Sequence, residues 1–142
     1  MKIVLDTNVL ISGFFPKKSP PTIILDMIIE GIITICYTSE IFIEYQEVLN
    51  RKKFAFIEKH RREIVLNYIK IAGYLVSGIP TNIILPDRDD EKFIEAAFAG
   101  QANYIVTGNQ KHYPEKQYNN VKVILPADFL KDIQKKGYGR LS

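Results

Sequence analysis

A few acidic positions in this 142-residue chain carry the residue types and spacing for chemistry. Asp6 interrupts the run KIVLDTNVL, in which apolar residues resume two places later. An ionised carboxylate between two core-bound segments must be solvated, paired or bound to a cation, because isolating it from water is costly. Glu44 lies in SEIFIEYQEVLN. At ~100° per residue, Ile41, Phe42, Tyr45, Val48 and Leu49 form the buried arc of a helix, with Glu44 at its border and Glu40 and Glu47 further out. Asp90 and Glu91 belong to DRDDEKFIEAAFAG, whose three consecutive acids, Asp89 included, exceed what a helix cap and dipole require. Asp90 precedes Ile94 by four residues and Glu91 precedes Phe98 by seven, so either reaches the end of the buried face.

Clustered carboxylates raise one another's pKa unless a cation neutralises them. Asp6, Glu44 and the Asp90/Glu91 pair are hard oxygen donors without thiolates, and the two histidines lack zinc-ligand spacing, which suits Mg²⁺ or Mn²⁺. Such an ion completes its coordination with water and phosphate oxygens, lowers the pKa of bound water and stabilises a leaving oxyanion. Phosphodiester hydrolysis is the reaction these residue types fit.

The elements that must position them alternate. KIVL, ITICYT, NYIVTG and VKVIL read as strands, and YLVSGIPTNIIL as a strand or extended loop. A short helical turn over Val9 to Phe14, SPPTIILDMIIEG closed by Gly31, a helix capped by Ser39, one from about Glu58 to Ala72, DRDDEKFIEAAFAG closed by Gly100, and PADFLKDIQKK read as helical. NQKHYPEKQYNN reads as a polar loop or short helix. This alternation predicts a single α/β domain over residues 1–136, a mainly parallel sheet of four to five strands between helical layers, and a flexible tail over 137–142. In such sheets ligands bind beyond the carboxyl ends of the strands, near a switch in strand order. Asp6 ends one strand there, and Thr107, Gly108 and Asn109 end another.

Composition sets the remaining bounds. With 46% hydrophobic and 25% charged residues the chain can bury a core, and no apolar stretch is long and charge-free enough for a signal peptide or a membrane span. A single cysteine, Cys36, in an apolar run reads as a buried thiol in a reducing cytosol. Net charge is only +3, but RKKFAFIEKHRR concentrates Arg51, Lys52, Lys53, Lys59, Arg61 and Arg62 around Phe54 and Phe56. That mixture suits phosphates and stacked bases, or a solvated helix boundary with inward phenylalanines.

The segments IVLDTNVLIS, SEIFIEYQEVLNRKKF, DRDDEKFIEAAFAGQANYIVTGNQKHYP and VKVILPADFL, in this order, resemble the PIN-domain family, most closely its branch of toxins from prokaryotic toxin–antitoxin systems. The resemblance implies a three-layer α/β/α sandwich and an acidic pocket holding Mg²⁺ or Mn²⁺ for endoribonuclease action. Asp6 would be a metal ligand and Glu44 the helix carboxylate facing it. The family's third acid, sixteen residues before Thr107, is Glu91, with Asp90 beside it. Thr7, Asn8 and Thr107 would support the pocket by hydrogen bonds. Asn109 stands where many members carry a fourth acid, and as a neutral oxygen donor it would hold a second ion less firmly. Lys111, His112 and Tyr113 follow, His112 as a phosphate contact or proton shuttle. RNA as substrate, a cognate antitoxin filling the pocket with a basic side chain, and dimerisation through apolar helices are also implied. Two other classes compete. In haloacid-dehalogenase phosphatases, distantly similar at LDTNV, an aspartate stands where this chain has Asn8; a PIN-like RNA-binding module would have lost catalysis through Asn109.

Overall fold

A computed structural model describes residues 1–137, so the expected tail, Gly137 apart, lies outside the described residues. The first strand, β1 (Lys2–Leu5), runs directly into α1 (Thr7–Ser12), with Asp6 between them as helix cap. Then follow α2 (Pro20–Ile29), β2 (Thr34–Tyr37), α3 (Ser39–Leu49), α4 (Lys59–Ala72) and β3 (Tyr74–Leu75). The second half holds α5 (Glu91–Gly100), β4 (Tyr104–Val106), β5 (Gln117–Tyr118), β6 (Val121–Ile124) and α6 (Pro126–Lys135).

The sheet has six strands in the order β3-β2-β1-β4-β6-β5, parallel except for the antiparallel β5 edge. Four to five strands were expected, the fifth in YLVSGIPTNIIL; the sixth is β5, a two-residue piece in the segment read as a polar loop or short helix and too short to show a periodicity. Only Tyr74–Leu75 of YLVSGIPTNIIL pairs. Likewise α1 starts at Thr7 rather than Val9, because the Asp6 carboxylate caps it by accepting from the Asn8 amide. Thr38, not Ser39, caps α3, its hydroxyl accepting from the Ile41 amide at 3.2 Å.

Helices flank the sheet: α5 packs on β1, β2 and β4, while α2 meets α1 and α6. β1, β4 and most of β2 are buried, the character of strands covered on both faces. The seat of α5 depends on Gly100, whose backbone lies so close to Cys36 that a Cβ there would meet Sγ at 2.1 Å. Gln101, with φ 53°, then turns the chain out of the helix. Gly100 therefore ends α5 by packing, and its neighbour supplies the left-handed turn. Tyr45, fully buried on α3, donates to the Leu5 carbonyl at 2.5 Å and pins that helix over the end of β1.

Candidate active site at the ends of β1 and β4

Strand order switches at β1: β2 lies on one side and β4 on the other. Leu5 registers with Val106, and the Asp6 amide donates to the Val106 carbonyl at 2.9 Å. The two residues that follow these strands, Asp6 and Thr107, are thereby side by side. The Thr107 hydroxyl, fully buried, donates to Asp6 Oδ2 at 2.7 Å, and the Asn8 amide approaches Oδ1 at 3.4 Å. Burial raises the Asp6 pKa against these donors, and the negative charge of Glu44 adds to the rise.

Glu44 reaches the site from α3, half-buried where Glu40 and Glu47 are exposed. One carboxylate oxygen accepts from the Thr7 hydroxyl and the other lies 2.8 Å from Lys92 Nζ. Asp90 and Glu91 part company. The turn Arg88–Asp90 winds as a tight 3-10 helix before α5 begins at Glu91. Asp90 consequently points inward and is 9% exposed, whereas the Glu91 carboxylate binds the Leu85 amide at 3.0 Å and Arg88 Nε at 2.6 Å. Of the two, Asp90 shares the pocket with Asp6.

Asp90 is the least settled charge in the site. Burial, and then Asp6, push its pKa up to about 6. His112 Nδ1 lies 2.9 Å from Asp90 Oδ2 and opposes the rise, but no other donor among the described residues reaches this buried oxygen. Asn109 packs its side-chain nitrogen 2.8 Å from His112 Nε2 and donates its backbone amide to Thr107 at 3.1 Å. The Tyr113 hydroxyl is also buried without a partner; burial, reinforced by Asp6 and Asp90, keeps it protonated. Donor atoms of Asp87, Asp90 and His112 all lie within 4.8 Å of one another. A buried carboxylate oxygen short of donors, hard oxygen ligands and one imidazole fit a divalent ion.

The family profile for the PIN domain matches residues 2–111. This chain belongs to the PIN-domain family. The PIN domain has a nuclease-like fold, and its members are typically nucleases that depend on divalent metal. An uncharacterized protein of Methanocaldococcus jannaschii is 30% identical over 152 aligned positions, spanning 95% of this chain and 93% of that one.

In this PIN domain the expected basic residues divide by role. Arg61 donates to the Phe14 carbonyl at 3.1 Å and Arg62 to the Leu49 carbonyl at 2.8 Å, so both tie down chain ends of helices. Arg51, Lys52, Lys53 and Lys111 are exposed. A cleft of about 350 Å³ runs along α3 between Glu44, Asp89, Lys92 and Arg51, linking the acidic site to the basic run. Phe54 and Phe56 do not simply turn inward: with Phe15 they form a cluster with centroids 5.5 to 6.5 Å apart, and Phe56 is 60% exposed.

Sequence reasoning missed Lys92, Asp87 and the idle Tyr113 hydroxyl. A signal for Lys92 existed: it is a cation four residues before Ala96, on the inner face of the α5 pattern. For Asp87 there was none, since its place depends on the loop before the tight turn.

Proposed function

We propose that this PIN domain is a Mg²⁺- or Mn²⁺-dependent endoribonuclease and the toxin of a toxin–antitoxin pair acting in the cytoplasm. The observation that carries the catalytic part is the Asp90 carboxylate, buried next to Asp6 with its pKa raised and with an oxygen that only His112 approaches. Asp6 and Asp90 would hold the ion, with Asp87, His112 and the Asn109 amide within reach of it and Glu44 facing it across the pocket. When bound, the ion supplies Lewis-acid activation of water and stabilisation of the leaving oxygen at a phosphodiester.

The chain's own residues do the rest. Thr107 and the Asn8 amide orient Asp6, Thr7 orients Glu44, and Asn109 orients His112 beside Asp90. Arg51, Lys52, Lys53 and Lys111 meet the phosphates, and Phe56 offers a ring face to an unpaired base. Single-stranded RNA suits this pairing of exposed ring and basic run. An antitoxin would silence the site with an arginine or lysine where the ion belongs, as Lys92 already does at Glu44.

The test is cleavage of a mixed-sequence RNA in Mn²⁺ by the wild type and by Asp6→Asn, with EDTA as control. Cleavage that needs both the metal and Asp6 supports the enzyme. RNA that binds equally in EDTA and is never cut points instead to a binding module, the reading that Asn109 in place of an acid favours. A gene neighbourhood without a small adjacent partner gene would remove the toxin assignment.

A further inference from the structure

The acidic site has two halves, and their charges are met differently. In the Glu44 half, the Lys92 ammonium lies 2.8 Å from Glu44 Oε1, 2.9 Å from Asp89 Oδ2 and 2.7 Å from the Asp89 carbonyl. Three acceptors use all three of its N–H donors. The Lys92 side chain is 6% exposed, so water hardly competes, and the second Glu44 oxygen is taken by Thr7. The Asp6/Asp90 half is the reverse: Asp90 Oδ2 has only the His112 imidazole beside it, the Tyr113 hydroxyl lacks a partner, no lysine or arginine among the described residues meets Asp6 or Asp90, and Asp87, Asp90 and His112 converge. Asn109 adds no charge to either half.

We propose that Lys92 is a built-in cation standing in for a second metal ion at Glu44, so that the centre holds one divalent ion, on the Asp6/Asp90 side. This rests on the metal-dependent reading above and specifies its stoichiometry and the residue that sets it. A second dication coordinated by Glu44 Oε1 would lie against an ammonium that already occupies that oxygen. Two such charges a few ångströms apart repel strongly in a partly dry pocket. Lys92 cannot swing clear without leaving the Asp89 carbonyl and its own place in α5. Glu44 is then a positioned carboxylate outside the ion's coordination shell, held by Lys92 and Thr7.

Counting bound Mn²⁺ on the full chain, by calorimetry and by the electron paramagnetic resonance of free Mn²⁺, tests this without reference to RNA cleavage. The wild type is expected to bind one ion. Glu44→Gln, at a residue that contacts neither the ion nor the groups that hold it, keeps that ion with an affinity loss below about tenfold, whereas Asp90→Asn removes a ligand and loses more than the roughly tenfold that even an outer partner of a ligand costs. Lys92→Met frees Glu44 and Asp89 and acquires a second Mn²⁺, while Lys92→Arg stays at one. Two ions in the wild type, or Glu44→Gln as damaged as Asp90→Asn, would overturn the proposal and leave the metal-dependent reading intact. A folded Lys92→Met that still binds one ion would overturn it too; should that variant not fold, the wild-type count and Glu44→Gln decide. No Mn²⁺ bound by the wild type would remove the metal reading itself.

Discussion

Asp132 and Asp90 are both carboxylates set among polar neighbours close to β4, and the fold treats them in opposite ways. Asp132 on α6 accepts from the Tyr104 hydroxyl, which itself accepts from Lys136 Nζ at 2.7 Å, and Lys122 and Lys136 each lie 3.7 Å from the carboxylate. Its pKa is lowered, first by the Tyr104 hydrogen bond. Asp90, past the other end of the strand, has its pKa raised by burial and by Asp6, and one oxygen has only the His112 imidazole beside it. A charge supplied with donors ties elements together; a charge left short of them is held ready for something absent from the chain. The contrast separates structural from functional acids more sharply than burial does.

The largest expected effect is on catalysis. Asp6→Asn or Asp90→Asn should lower the rate of RNA cleavage in Mn²⁺ by about 10²–10³-fold, roughly 3–4 kcal/mol of transition-state stabilisation. Asp132→Asn should leave the rate unchanged, and an equal loss there would dissolve the contrast. Next comes metal-linked stability: Mn²⁺ at about 100 times its Kd should stabilise the wild type by about 2.7 kcal/mol in thermal or urea unfolding. Asp132→Asn should retain that gain and Asp90→Asn should lose most of it. The gain should also shrink below about pH 6, where protons compete with the ion for Asp90.

A smaller effect concerns the metal-free protein. Since the Asp90 pKa is about 6 in the folded chain against an ordinary 3.8, its contribution to stability is fully present below pH 3.8 and is lost as pH rises through 6. Asp90→Asn should therefore be more stable than the wild type at pH 7 in EDTA by about 1–2 kcal/mol, after allowance for solvent screening, and no more stable near pH 3.5. A destabilised variant at pH 7 would place Asp90 with Asp132. The smallest effect has the opposite sign: Asp132→Asn should cost about 0.5–1 kcal/mol at pH 7. With its folded pKa lowered, that contribution exists above the ordinary carboxylate range and disappears as pH falls through it, so the cost should vanish in acid.

Much of the scaffold was legible because periodicity and strand-end rules are local. Asp6 could be recognised from the break it makes in an apolar strand, and Glu44 from its angular distance to Tyr45 on a regular helix. Between Asp90 and Glu91 the same reasoning had no purchase. A wheel drawn from Asp89 assumes α-helical winding, but Arg88–Asp90 turns at three residues per turn, which rotates Asp90 inward and gives Glu91 to Arg88. The two-residue edge strand β5 escaped notice for want of length.

By itself the sequence determined the alternation of elements, the family, and the two carboxylates that sit on regular structure, because each is written in spacings of a few residues. Only the tertiary structure decided which charges are satisfied. Lys92 gains its role only when α3 brings Glu44 to it, and Asn109 reads as a missing acid until His112 packs against it. Pairing depends on which side chains meet across residues far apart in the chain, and desolvation sets its cost; neither is encoded locally.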